Sequence, residues 1–170
     1  MCKQIIKLNI KKTKKILNFD DAIEYMYSLD KKYNKNLISK LYDIAPDLYE
    51  IHAVTTLKTI IQKVKNLGIK YPTVGTNIAL RLDRPNDKKL NTSTHQDIWY
   101  SMISDNSLTI WFNISKIKKI DGPLKICKTF KKNKIYKFFD DKQGTFTAKI
   151  KKNLKFEEIY LKEDQALIFS

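Results

Sequence analysis

The spacing of hydrophobic residues changes once along the chain, near Tyr71-Pro72, and the change separates two kinds of predicted element. Before it, apolar residues recur at three- and four-residue intervals, the period of a helix with one buried face. Ala22 to Leu29 predicts a helix capped by Asn18 or Asp20, with Asp20 and Asp21 beside the positive end of its dipole. Leu37 to Ile44 predicts a second, and Pro46 ends it or opens the next turn because a proline pushes its predecessor out of helical conformation. Asp47 to His52 reads as a short helical piece. Thr55 or Thr56 then opens a helix through Leu57, Ile60, Ile61, Val64 and Leu67, with Gly68 as a left-handed stop. Residues 1 to 16 alternate lysine with Ile and Leu and read as an extended or frayed arm.

After Tyr71-Pro72 the pattern becomes that of strands and turns. Val74 to Leu82 is rich in β-formers, and Arg84-Pro85-Asn86-Asp87 is a turn by composition. Ser107 to Ile114 alternates, with Thr109, Trp111 and Asn113 on one face and Leu108, Ile110, Phe112 and Ile114 on the other. The apolar face is expected to pack the outer core and the other to line a pocket. Asp121-Gly122-Pro123 predicts a turn and Leu124 to Cys127 a strand after it. A lysine-rich linker carrying Ile135, Tyr136, Phe138 and Phe139 leads to a turn at 140–144, and Phe146 to Ile150 and Phe156 to Leu161 read as two more strands. Ala166-Leu167-Ile168-Phe169 is apolar without alternation and reads as a buried strand. As the last strand it would leave an open sheet edge through which self-association is expected, and so apolar an ending predicts that the natural polypeptide continues.

Helices followed by six to eight strands predict an α+β fold, with N-terminal helices packed on a jelly-roll core that is C-terminally incomplete. A length of 170 residues fits one domain, its helical part at 1–70 and its barrel at 71–170. With 30% charged and 42% hydrophobic residues the chain has the composition of a globular protein. It has no apolar run near the roughly 18 residues of a membrane span. The start, Met1-Cys2-Lys3-Gln4-Ile5-Ile6-Lys7, lacks the apolar stretch of a signal peptide, so an intracellular, cytoplasmic protein is expected. Cys2 and Cys127 match no zinc or disulfide framework. The net charge of +15 raises the question of nucleic acid, but of 33 basic side chains only Arg81 and Arg84 are arginines. Lysines scattered along a whole chain read as a solvated surface rather than as a phosphate-binding motif. Nucleic acid is therefore not expected as a partner, and a non-enzymatic basic module for nucleic acid or another polyanion stands as the alternative function.

The candidate chemistry lies in Thr94-His95-Gln96-Asp97-Ile98-Trp99-Tyr100. If this segment is extended, residues two apart face the same way, so His95 and Asp97 can converge on one cation. An imidazole and a carboxylate are two of the three ligands of the two-His-one-carboxylate face that holds non-haem Fe(II). His52 falls in the helical region and reads as a surface or packing histidine.

Four pieces in order, Leu80-Arg81-Leu82-Asp83-Arg84-Pro85-Asn86-Asp87, Thr94-His95-Gln96-Asp97, Ser104 to Trp111, and Asp121-Gly122-Pro123-Leu124, resemble the phytanoyl-CoA dioxygenase-like family. Glu163-Asp164-Gln165-Ala166-Leu167-Ile168-Phe169-Ser170 is similar to the family's strand leading to its second iron-binding histidine. The resemblance covers residues 75 to 170 and the helical region only loosely. It implies a double-stranded β-helix (cupin-like) oxygenase that uses Fe(II), 2-oxoglutarate and molecular oxygen to hydroxylate a small organic substrate, anionic ones included. His95 and Asp97 would be the first two metal ligands. Arg81, Asn106, Thr109 and Trp111 match family positions that hold 2-oxoglutarate or support the ligands. Two residues have plainer readings as well: core packing for Trp111 and an exposed strand-edge ion pair for Arg81. No histidine or arginine follows Asp97, so the distal histidine and the 2-oxoglutarate-binding arginine of the family would lie beyond Ser170, and the chain is expected to be a fragment.

Overall fold

The apolar run near the end of the chain becomes the strand on which the β part is built. The computed structural model of the protein describes residues 4–7, 19–33, 36–75, 78–82, 92–101, 106–127, 135–140, 146–150 and 154–170. The chain divides into two compact units, Lys7–Leu82, and Met1–Ile6 with Asp83–Ser170. The architecture is α+β, helices followed by small sheets.

The helical unit holds α1 (Phe19–Tyr33), α2 (Leu37–Ile44), α3 (Tyr49–Thr55) and α4 (Lys58–Asn66), close to the spacing-based expectation. α2 ends at Ile44, and Pro46 stands at the start of the next turn, a 3-10 helix over Ala45–Asp47. At Gly68 the backbone turns left-handed at φ 101°, a conformation that costs a side-chain-bearing residue more than glycine. Asp30 at the end of α1 accepts the backbone N–H groups of Leu37 and Ile38 at 2.5 and 2.9 Å, satisfying two donors that the start of α2 would otherwise leave unpaired. The cap foreseen at Asn18 or Asp20 falls outside the described side chains.

Val74 to Leu82 forms no strand among its described residues. Leu80 and Leu82 instead join Ile23, Ile38, Met26, Tyr27, Leu41 and Tyr42 in one apolar cluster, and the Leu82 N–H donates to the Tyr42 hydroxyl at 3.1 Å. β-propensity expresses a fit to neighbouring strands, and here the neighbours are helices.

The strands are β1 (Gln4–Lys7), β2 (Thr109–Phe112), β3 (Leu124–Cys127), β4 (Phe138–Asp140), β5 (Phe146–Ala148), β6 (Phe156–Ile159) and β7 (Gln165–Phe169), and all of their residues but Lys7 belong to the other unit. The sheets are ordered β1-β7-β2, β3-β6 and β4-β5, and the pairs β2–β7, β3–β6 and β4–β5 are antiparallel. β1 arises from the expected arm, and β4 from residues expected to be linker. β7 is central in its sheet, so the strand expected to present an open edge has a neighbour on each side. Its Ala166, Leu167 and Ile168 are wholly shielded from solvent. A strand covered on both faces needs an apolar side chain at every position, which is why this run does not alternate.

The register of β2 on β7 sets Thr109 opposite Phe169 and Trp111 opposite Leu167, hence all four on one face. Trp111, Leu167 and Phe169 pack there with Leu124, Ile126, Ile159 and Leu161, so the β2–β7 and β3–β6 pairs share one apolar cluster. The face of β2 expected to be a polar pocket wall is thus core at its centre. Asn113 on the same side is buried, and its Nδ2 donates to the Leu161 carbonyl at 3.0 Å, tying the end of β2 to the segment between β6 and β7. On the opposite face Ile110 lies over Ile168 and Phe112 over Ala166. Among the described residues no helix is long and apolar enough to cross a membrane.

Leu167 has no exposed area and touches both strand pairs. Leu167→Ala is expected to destabilise the protein by about 2–5 kcal/mol, the usual range for a truncated core leucine. Tyr71→Ala, at a side chain 80% exposed, is expected to change stability by less than about 0.5 kcal/mol. Urea unfolding of the two variants measures the difference.

Candidate functional site

His95 and Asp97 do converge, though not in the extended segment their spacing predicted. Residues 95 and 96 are irregular, Asp97 begins a turn, and the short helix α5 (Ile98–Ser101) follows. The Trp99 N–H donates to the Gln96 carbonyl at 3.2 Å and the Tyr100 N–H to the Asp97 carbonyl at 3.0 Å. The tight turn, not a strand pleat, brings the two side chains together, and it also frees Gln96 to point elsewhere.

The geometry of the pair defines its proton positions. His95 Nδ1 lies 2.7 Å from the Ser93 carbonyl oxygen, and a carbonyl can only accept, so Nδ1 carries a hydrogen. Nε2 lies 3.2 Å from Asp97 Oδ1. In the neutral imidazole that arrangement sets a lone pair against a carboxylate oxygen. It is relieved by a second proton, giving an imidazolium–carboxylate pair, or by a cation bound to both atoms. Two ligands each about 2.1 Å from a metal and roughly at right angles stand about 3.0 Å apart, close to the separation found here.

Asp97 has its other oxygen engaged. The Thr109 hydroxyl donates to Oδ2, so the first residue of β2 holds the carboxylate from below and leaves Oδ1 toward His95. Burial opposes ionisation of this carboxyl, but the hydrogen bonds from His95 and Thr109 and the nearby His95 charge outweigh it, and the pKa lies below its ordinary value. The two side chains remain 25% and 39% exposed, open to a small ligand.

The β4–β5 pair is fastened to the same segment. The Tyr136 N–H donates to Gln96 Oε1 at 2.7 Å, the Ala148 N–H to the Thr94 carbonyl at 2.8 Å, and the Phe146 N–H to the Tyr100 hydroxyl at 3.0 Å. Aromatic rings continue the contact: His95 meets Tyr100, Tyr100 meets Phe146, Phe146 meets Phe138, and Phe138 meets Trp99. From the sequence Tyr136 and Phe138 read as linker and Phe146 as strand, and none of these residues was expected to support the site. The signal that could have found them is the pair of aromatic doublets, Trp99-Tyr100 and Phe138-Phe139, on segments otherwise rich in polar residues.

Of the other residues expected at the site, Thr109 is brought to Asp97. Trp111, two residues further along the same face, packs into the core cluster, in keeping with its plainer reading. Asn106 is exposed at a turn ahead of β2. Arg81 is half-buried in irregular backbone and belongs to the helical unit. His52 is exposed on α3.

No family model matches the chain, and neither a curated protein nor a solved structure shows significant similarity to it. The donor set itself fits a divalent metal at two positions, an imidazole nitrogen of defined tautomer and one carboxylate oxygen. Among the described residues there is no group of three or more His, Cys, Asp or Glu side chains that could hold a metal ion.

Thr109→Val removes the donor to Oδ2 and is expected to raise the Asp97 pKa toward the ordinary value of about 3.9. A depressed folded-state pKa contributes stability that is full above the unfolded pKa and is lost as pH falls through the folded value. The stability gap between wild type and Thr109→Val is therefore expected to be largest near neutral pH and to close on acidification below about pH 4. Carbon NMR titration of the Asp97 carboxyl and urea unfolding across that range measure both.

Proposed function

We propose that the protein is an Fe(II)- and 2-oxoglutarate-dependent dioxygenase-like domain, an oxidoreductase that hydroxylates a small, anionic organic substrate with molecular oxygen. The observation that carries the reading is the placement of His95 Nε2 and Asp97 Oδ1 3.2 Å apart, each residue with its remaining polar atom engaged. Ser93 selects the tautomer and Thr109 occupies the second carboxylate oxygen, so the pair has one nitrogen and one oxygen to offer the same cation. Bound there, ferrous iron would supply the oxygen chemistry that couples decarboxylation of 2-oxoglutarate to succinate and CO2 with hydroxylation of a C–H bond. The finer fold, a double-stranded β-helix or jelly roll, belongs to this proposal and rests on the order of the motif pieces. So do the cytoplasmic location and the assignment of Asn106 to the 2-oxoglutarate pocket.

The chain's own residues do the positioning. His95 and Asp97 would hold the cation on one side, Thr109 orients the carboxylate through Oδ2, and a positive overall charge of +15 favours the approach of a carboxylate- or phosphate-bearing compound. With iron and 2-oxoglutarate added, succinate release is expected, and His95→Ala or Asp97→Ala should reduce it to background. Ferrous iron binding followed by calorimetry should weaken at least about tenfold in either variant. Iron affinity that is the same in wild type and both variants would sink the proposal.

A further inference from the structure

The Tyr100 ring stands almost perpendicular to the His95 ring, at 88° with centroids 5.2 Å apart. We propose that Tyr100, braced by the β4–β5 pair, is a positioning residue that fixes the His95 imidazole for cation binding; this rests on the metal-ligand reading of His95 and Asp97.

A hydrogen bond at Nδ1 alone lets an imidazole rock about the bond axis, and rocking swings Nε2 away from its partner. A ring packed at right angles against the imidazole removes that freedom. Tyr100 can serve only if it is itself held, and Phe146 holds it through two contacts. Its hydroxyl accepts the Phe146 N–H at 3.0 Å, and its ring packs on the Phe146 ring with centroids 5.0 Å apart. Phe146 is in turn set by its pairing opposite Asp140 and by the Phe138 ring, 4.7 Å away. A two-stranded ribbon of three residues a side has little stability of its own. It is fastened to the His95 segment at Gln96 and Thr94 as well, so ribbon and segment form one body. The layout is that of outer partners orienting a metal-ligating histidine, with a phenol ring instead of a carboxylate on the open side.

Cobalt(II) alone, added to the full chain, is the probe, with the nitrogen NMR shifts of the His95 ring as a second readout that needs no metal. Tyr100→Leu is expected to lower cobalt affinity about tenfold and to let the neutral ring populate the other tautomer. Tyr100→Phe keeps the ring and should stay within about threefold of wild type. Ile60→Val trims a buried side chain of α4 in the helical unit, and should lower thermal stability while leaving affinity and tautomer unchanged. Wild-type affinity and tautomer in Tyr100→Leu would overturn the proposal. If wild type takes up no cobalt, the tautomer decides: a shift in Tyr100→Leu supports positioning while the metal reading falls, and no shift overturns the proposal too. Should Tyr100→Leu not fold, Phe146→Leu must lower affinity or shift the tautomer, and wild-type behaviour there is equally fatal.

Discussion

The structure of the β part depends on β7 being covered from every side. Its neighbours β1 and β2 flank it in the sheet, and Ala166, Leu167 and Ile168 are shut off from water on both faces. Burying a leucine or isoleucine side chain such as Leu167 or Ile168 is worth roughly 1.5–3 kcal/mol, so the register that achieves it is strongly preferred. A one-residue slip would exchange the faces of β7 against β2 and place Trp111 and Leu167 on opposite sides of their sheet. The same register decides where Thr109 stands. Because Trp111 opposite Leu167 is committed to the core, Thr109 two residues earlier, opposite Phe169, is carried to the rim, where its hydroxyl meets Asp97. A packing constraint deep in the unit thus sets the second contact of a carboxylate at its surface.

Around that carboxylate the chemistry is decided by which atoms are already engaged. The backbone of Ser93 fixes one imidazole nitrogen and Thr109 one carboxylate oxygen, leaving Nε2 and Oδ1 face to face. Either a proton or a metal can settle two such atoms, and both are positive charge placed at one point. The aromatic ladder from His95 through Tyr100 and Phe146 to Phe138 stiffens the outer side of this pair, while β2 supports the inner side. Support from two independently paired elements is what a binding site needs if small displacements are not to spoil it.

The surface tells a different story from the site. Lysine-rich stretches run throughout the chain, and among the described residues the exposed ion pair Lys125–Glu158 joins directly opposed positions of β3 and β6 at 3.4 Å. Pairs of this kind add little to stability. The excess of lysine, a net charge of +15, matters more as a field, which raises the concentration of anions near the molecule without choosing among them.

The sequence by itself determined the helices α1 to α4, the left-handed stop at Gly68, and the strands β2, β3, β5, β6 and β7, because each rests on local spacing and turn chemistry. It also marked His95, Asp97 and Thr109 as candidate chemistry. Tertiary structure alone decided the rest. Leu80 and Leu82 left an apparent strand for a helical cluster because the apolar faces of α1 and α2 are what pack against them. Trp111 went to the core because an indole has more area to bury than a pocket wall leaves covered. The bond between Thr109 and Asp97 spans twelve residues, and the contact between Tyr100 and Phe146 spans 46. Such pairings depend on how sheets register and how separate segments meet, and no periodicity along a single stretch of chain contains that information.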